Sequence, residues 1–308
     1  MSLRAAATAV AICCAAALGG CGLGAGRGTS DVTLTVTRDF GGARLGSVTD
    51  KRVPGSETVM RMLERSFRVL TRYGGGFVES IDGQSGSSSH RDWFYYVNGV
   101  QAAAGAATTA VHRGDQIWWD LHDWSATDTV PAVVGSFPEP FVHGTGGLRL
   151  PTAVECAGDV GAACKRISKE LSGLGVPIAS QLFGTGSGTD SLAVLVGTWR
   201  DVHRTLLAAL LEHGPSTSGV YARFDGSGAD QLLLLDPAGH AVRKLGAGAG
   251  LIAATASNSS SPTWLVTGTD PAGVSAAAAA LTPARLRDHF ALAVEGATDI
   301  PVPVQAES

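Results

Sequence analysis

The chain has 308 residues, 44% of them apolar and 16% charged, with a formal net charge of −4. No basic stripe runs through it, which argues against a nucleic-acid partner, and the length suits two domains of ordinary size. The 41 glycines follow no period and read as compositional bias rather than as a structural repeat.

Arg4 gives a short positive start, and residues 5–18 are almost all Ala, Val, Ile, Leu and Cys without a charge. A spanning helix needs roughly 20 apolar residues, so this segment predicts a removable signal. It ends in Leu18-Gly19-Gly20-Cys21, which resembles the lipobox of bacterial lipoproteins. That resemblance implies residues 1–20 as the signal, cleavage after Gly20 and a diacylglycerol on the Cys21 thiol. The mature chain would then sit lipid-anchored at the extracytoplasmic face of the cell membrane. An ordinary signal peptide with an incidental Cys21 is the alternative. Loss of Arg4 removes one positive charge, from −4 to −5. Residues 21–30 are small and Gly-rich, the composition of a flexible tether. No later segment reaches the roughly 18 uninterrupted apolar residues of a transmembrane helix.

A first domain is expected over residues 31–125. Asp31–Arg38 alternates apolar and polar positions, the pattern of a half-buried strand, and residues 45–53 suit its hairpin partner. Pro54-Gly55-Ser56 breaks the pattern. Ser56 is a fitting N-cap, and Val59, Met62, Leu63, Phe67 and Leu70 recur at helical spacing, predicting a helix over 57–71. Gly74-Gly75-Gly76 ends it. Strands follow at 77–81 and 93–97, then the turn pair Asn98-Gly99. Residues 100–113 are Ala-rich without a clear pattern, and a last strand covers 116–121.

The pieces Gly55–Val59, Ile81-Asp82-Gly83, Trp93-Phe94-Tyr95-Tyr96-Val97-Asn98-Gly99, Gly105-Ala106 and Gly114-Asp115-Gln116-Ile117-Trp118-Trp119 resemble the transcobalamin-like C-terminal domain family, DUF4430. The resemblance covers some 90 residues, in order, and implies an α+β domain of the β-grasp type. In the animal cobalamin carriers such a domain closes over the corrin ring together with a larger helical domain, of which this chain shows no sign.

Four of the six tryptophans and three of the four tyrosines lie between residues 73 and 124. Strand alternation sends Trp93 and Tyr95 to one face and Phe94 and Tyr96 to the other, and it separates Trp118 from Trp119. One face must cover the helix. The other either presents rings to a flat ligand, with Trp93, Tyr95, Tyr96, Asn98, Trp118 and Trp119 as candidate ligand-binding residues, or is buried against a second domain. His90, His112 and His122 flank these strands. His90, in a Ser-rich loop, reads as a surface histidine, and none is assigned as a metal ligand.

After a linker at Ser125–Val130, a second domain of α/β type is expected over 131–308. It begins with a strand at 132–141 that breaks at two prolines. Cys156 and Cys164 are the only cysteines left after the signal and Cys21. A lone pair in an exported protein suggests a disulfide, with two reduced thiols as the alternative. On one helix they would stand about 12 Å apart, beyond bridging distance. Cys156 is therefore expected at a loop or strand end and Cys164 at the start of a helix over 163–173. Leu192–Thr198 leading into a helix at 199–213, and Thr263–Asp270 leading into a helix at 271–281, form two similar βα units. Asp270 is the expected N-cap and Pro271 the first helical residue. Strands are expected near 218–224, 231–235 and 250–256, with a turn at Asp236–Gly239 and a last helix at 283–294. Alternating strands and helices suit a ferredoxin-like arrangement or a small doubly wound sheet.

No nucleophile elbow, His-Glu-x-x-His or metal-spaced Cys/His set is present, and the Gly-rich run 184–190 lacks a P-loop lysine. The chain therefore reads as a binder rather than an enzyme and needs no cofactor, with an unrecognised hydrolase as the remote alternative. A small molecule, a corrinoid by family analogy alone, is the expected ligand. A membrane importer is the expected recipient, and a cell-surface scaffold or interaction module is the other reading.

Overall fold

The computed structural model describes residues 31–86, 90–179, 181–225, 231–257 and 261–305. The signal, Cys21 and the tether lie outside them. The first region runs β1 (Val32–Arg38), β2 (Ala43–Asp50), α1 (Val59–Ser66), β3 (Val69–Arg72), β4 (Phe77–Ile81), β5 (Gln84–Ser85), β6 (Arg91–Val97), β7 (Val100–Gln101) and β8 (Gln116–Asp123). Five of these strands make a sheet in the order β2-β1-β8-β6-β7. Its central pair, β1 and β8, is parallel, with Thr33 opposite Gln116 and Arg38 opposite Leu121. The alternation expected of β1 is realised, with Val32, Leu34 and Val36 buried.

Helix α1 is shorter than the spacing predicts. Thr58, not Ser56, caps it, accepting from the Arg61 amide. It stops where Phe67 turns extended, because the β-branched pair Val69 and Thr71 belongs to β3, which pairs with β4. Leu70, expected on the helix's apolar stripe, is instead 63% exposed.

The second region holds β9 (Thr152–Cys156), α2 (Gly161–Gly173), β10 (Ile178–Ala179), β11 (Leu192–Thr198), α3 (Trp199–Val202), α4 (Leu206–Ala209), α5 (Pro215–Ser218), β12 (Ala222–Phe224), β13 (Leu232–Leu235), β14 (Ala241–Leu245), β15 (Ala249–Thr255), β16 (Thr263–Gly268), α6 (Pro271–Ala280), α7 (Pro283–Leu286), β17 (Ala291–Glu295) and β18 (Thr298–Val302). Seven strands form one sheet in the order β10-β9-β11-β16-β15-β17-β18. The strands β10, β9, β11 and β16 run parallel, while β15, β17 and β18 are antiparallel. This mixed sheet is not the antiparallel one of a ferredoxin-like fold. Helices lie on both faces, α2 and α6 on one and the short α3 and α4 on the other, but the antiparallel half of the sheet departs from an all-parallel doubly wound order.

Three expected elements change. Residues 132–141 form turns after a single bridge from Ala132 to Val100. Pro138 and Pro140 lack ladder donors, and Val133, Val134, Phe137 and Phe141 are buried without a strand. The helix at 199–213 breaks into α3, α4 and a 3-10 turn, because Thr205 restarts it by capping the Ala208 amide. The helix at 283–294 is only α7, and after Asp288, whose φ is 63°, the chain enters β17. The two βα units are confirmed as neighbouring parallel strands with Gly197 opposite Thr267. Asp270 accepts from the Gly273 amide at 2.8 Å. A Cβ on Gly273 would stand 2.1 Å from the Ala249 carbonyl oxygen, so α6 docks this closely only through glycine.

Cys156, at the end of β9, is disulfide-bonded to Cys164 in α2 across a Cα–Cα distance of 6.3 Å. Replacing both by serine is expected to cost about 2–3 kcal/mol through the freed loop entropy, read as a lower denaturation midpoint. An unchanged midpoint would show that the bridge does not stabilise the fold.

The regions share a core. Phe40, Tyr96 and Trp118 of the first sheet cluster with Val133, Tyr221, Phe290, Ala291 and Val302. The expected linker is bound at its end, where Val130 is buried and its amide donates to Gln101 Oε1 at 3.0 Å. Arg44 and Asp288 form an ion pair across the same junction.

Candidate functional site

The aromatic strands obey the expected alternation, and both of their faces are covered. Trp93 and Trp119 are buried beneath α1, beside the half-buried Tyr95. Tyr95 stacks on Trp119 with ring centroids 4.8 Å apart, and Trp93 Nε1 donates to the Gln84 carbonyl at 3.2 Å. On the opposite face, Tyr96 and Trp118 are 0% and 3% exposed. Their rings lie 5.6 and 5.3 Å from that of Phe290. The rings therefore form no open ligand platform. Five of the six candidate ligand-binding residues, Trp93, Tyr96, Asn98, Trp118 and Trp119, are buried. Alternation assigns faces correctly, but it does not say what covers them.

A buried polar network sits beneath the second face. Trp118 Nε1 donates to Thr37 Oγ1 at 2.6 Å, and Thr37 donates to Asp120. Asp120 also accepts from the Phe40 and Gly41 amides at 3.0 and 2.9 Å, and His122 Nδ1 lies 2.9 Å from its Oδ1. The His122 ring stacks on Phe94 at 4.5 Å. This network is what burying a carboxylate at an interface requires. Burial, then the nearby Asp120 and Tyr221, pushes the Tyr96 phenol well up, and burial also raises Tyr221. Both stay protonated.

Asn98 is architectural. With Gly99 it makes the positive-φ turn between β6 and β7, at 54° and 75°. Its side chain donates to Asp115 Oδ1 and to the Gly144 carbonyl, and accepts from the Gln116 amide. Burial raises the carboxyl of Asp115, and burial likewise raises Glu139. Glu139 lies 2.5 Å from His143 Nδ1.

Open concavities lie beside this turn, in the Ala-rich stretch that carried no pattern. One, of about 380 Å³, is lined chiefly by Val97, Val100, Ala103, Ala110, His112 and Thr145. Its wall is almost wholly apolar, with His112 as its ionisable side chain. A second, of about 530 Å³, lies across Val100–Ala103, where Thr127, Thr129, Ser216 and Thr217 of the two regions meet. Of the six candidates only Tyr95 reaches the groove wall, where its hydroxyl donates to the Ala104 carbonyl at 2.5 Å and lies 2.8 Å from Thr109 Oγ1. The sequence signal that could have found the groove is weak, a run of alanines after a hairpin turn.

Residues 56–123 match the family model described as "Domain of unknown function (DUF4430)", in agreement with the resemblance read from Trp93–Gly99 and Gly114–Trp119. No curated protein matches the chain. The chain is similar to a solved structure from Ruminococcus gnavus described as a "putative metal binding protein", at 18% identity and a TM-score of 0.25, over 30% of this chain and 97% of that one. Among the described residues, no three His, Cys, Asp or Glu side chains converge to hold a metal ion.

Proposed function

We propose that the protein is a lipid-anchored, extracytoplasmic binding protein whose ligand is a small, largely apolar molecule held in the groove beside β7. The observation that carries this reading is the groove itself, about 380 Å³ of apolar space at the junction of two regions, where ligand sites concentrate. His112, Thr109 and Thr145 give it a few polar contacts, and fixed orientation needs only a few. The order β2-β1-β8-β6-β7 with a parallel central pair, covered by α1, suits a β-grasp scaffold carrying that hairpin. The disulfide and the lipobox-like Leu18–Cys21 both suit an oxidising compartment outside the membrane. A tethered binder held there is placed to pass its ligand to a membrane importer.

The aromatic face that could have presented rings to a flat ligand is covered, so the groove's own chemistry sets the ligand class. Titration with the neutral probe N-phenyl-1-naphthylamine is expected to show one saturable site. Ala103→Trp, a change at an exposed wall residue, should abolish it with the fold retained. Probe uptake that is absent, or unaltered in that variant, would overturn the assignment. Cobinamide titrated in parallel tests the corrinoid directly.

A further inference from the structure

We propose that a third, separate cavity binds a neutral saccharide. It has a volume of about 300 Å³ and is lined by Arg72, Phe77, Glu79, His90, Asp92 and Trp124. This is the lower end of the roughly 300–1,000 Å³ that ligand pockets span, and it suits one or two sugar rings.

The lining carries the argument. Trp124 is half-buried, fixed by its Nε1 donating to Asp92 Oδ2 at 2.9 Å and by the His90 ring set edgewise 4.8 Å away. Its backbone amide donates to the His90 carbonyl at 2.8 Å. Phe77 remains 38% exposed, and neighbouring Tyr73 is 87% exposed. No core claims these rings, although large aromatic side chains ordinarily bury most of their area. A pyranose presents apolar C–H faces that stack on such rings and an equatorial rim of hydroxyls that both donate and accept.

The polar groups match that rim. Arg72 and Glu79 pair across the β3–β4 hairpin, and planar guanidinium and carboxylate groups make paired hydrogen bonds. Asp92 and His90 add an acceptor and a second ring with polar nitrogens. One guanidinium against two carboxylates leaves no excess positive charge to hold an anion. A bare metal ion finds no converging set of three ligands among the described residues.

The cavity also lies far from the chain's entry to the sheet. Thr33 pairs with Gln116 at one end, and Asp92 pairs with His122 at the other, roughly 20 Å away along β8. It is therefore independent of the apolar groove, which borders Val97 opposite Ile117.

The test uses the full mature chain in a detergent without sugar headgroups. It is titrated with glucose, galactose, mannose and N-acetylglucosamine and their short oligomers, following tryptophan fluorescence and saturation-transfer NMR. At least one sugar is expected to saturate. Trp124→Ala and Phe77→Ala should each weaken it by at least about tenfold, and Phe77→Ala should keep the wild-type melting temperature. No saturation into the millimolar range, or unchanged affinity in both variants, overturns the proposal.

Discussion

Replacing Cys21 by serine is expected to abolish palmitate incorporation and to move the protein out of the detergent phase on phase partitioning. Each buried methylene of an attached chain contributes about 0.8 kcal/mol to membrane binding, and stable anchoring takes two chains. A diacylglycerol on Cys21, as the lipobox resemblance implies, would supply both. The serine variant would lose those chains, and residues 5–18 fall short of the roughly 20 apolar residues that span a bilayer. No described helix is long and apolar enough to cross a membrane. Residues 22–30 could hold the folded part within about 30 Å of the bilayer when fully extended. Metabolic labelling with palmitate, followed by phase separation, decides the matter. A wild-type protein that takes up no label would make Cys21 incidental, and the signal an ordinary one.

The second large effect is expected at the shared core. Phe290 is 3% exposed. Its ring contacts those of Phe40, Tyr96, Trp118 and His122 at centroid distances of 5.0, 5.6, 5.3 and 5.2 Å. Phe290→Ala removes a ring that contacts all four of them. Large-to-small changes at such sites cost about 3–5 kcal/mol, a large part of the roughly 5–15 kcal/mol that holds a domain folded. The cavity would also loosen the cover over Asp120 and His122, whose hydrogen bonds depend on dry surroundings. Guanidinium denaturation followed by tryptophan fluorescence and by circular dichroism should give coincident wild-type curves, as one cooperative body requires. In the variant the midpoint should fall sharply. Two separated wild-type transitions, or a loss under about 1 kcal/mol, would show that the aromatic junction does not couple the regions.

Much of the local structure was legible in the sequence. The alternation of β1, the turn at Asn98-Gly99, the cap Asp270 before Pro271 and the placement of Cys156 and Cys164 all depend on residues close in the chain. Their physics is local: strand period, positive-φ tolerance, an N-cap carboxylate and the reach of a disulfide. Apolar spacing alone misled where two structures satisfy it. Leu70 fits a helical stripe but lies in β3, paired with β4, and residues 291–294 read as helix but form β17, because strand partners, the adjacent β18 and the distant β15, decided. The sheet order β10-β9-β11-β16-β15-β17-β18 and the closing of the aromatic face by Phe290 and Tyr221 were likewise set by tertiary packing. So was the groove at Ala102–Ala104. Periodicity tells which side of a strand is apolar, whereas only the folded chain determines whether that side meets solvent, a ligand or another part of the same protein.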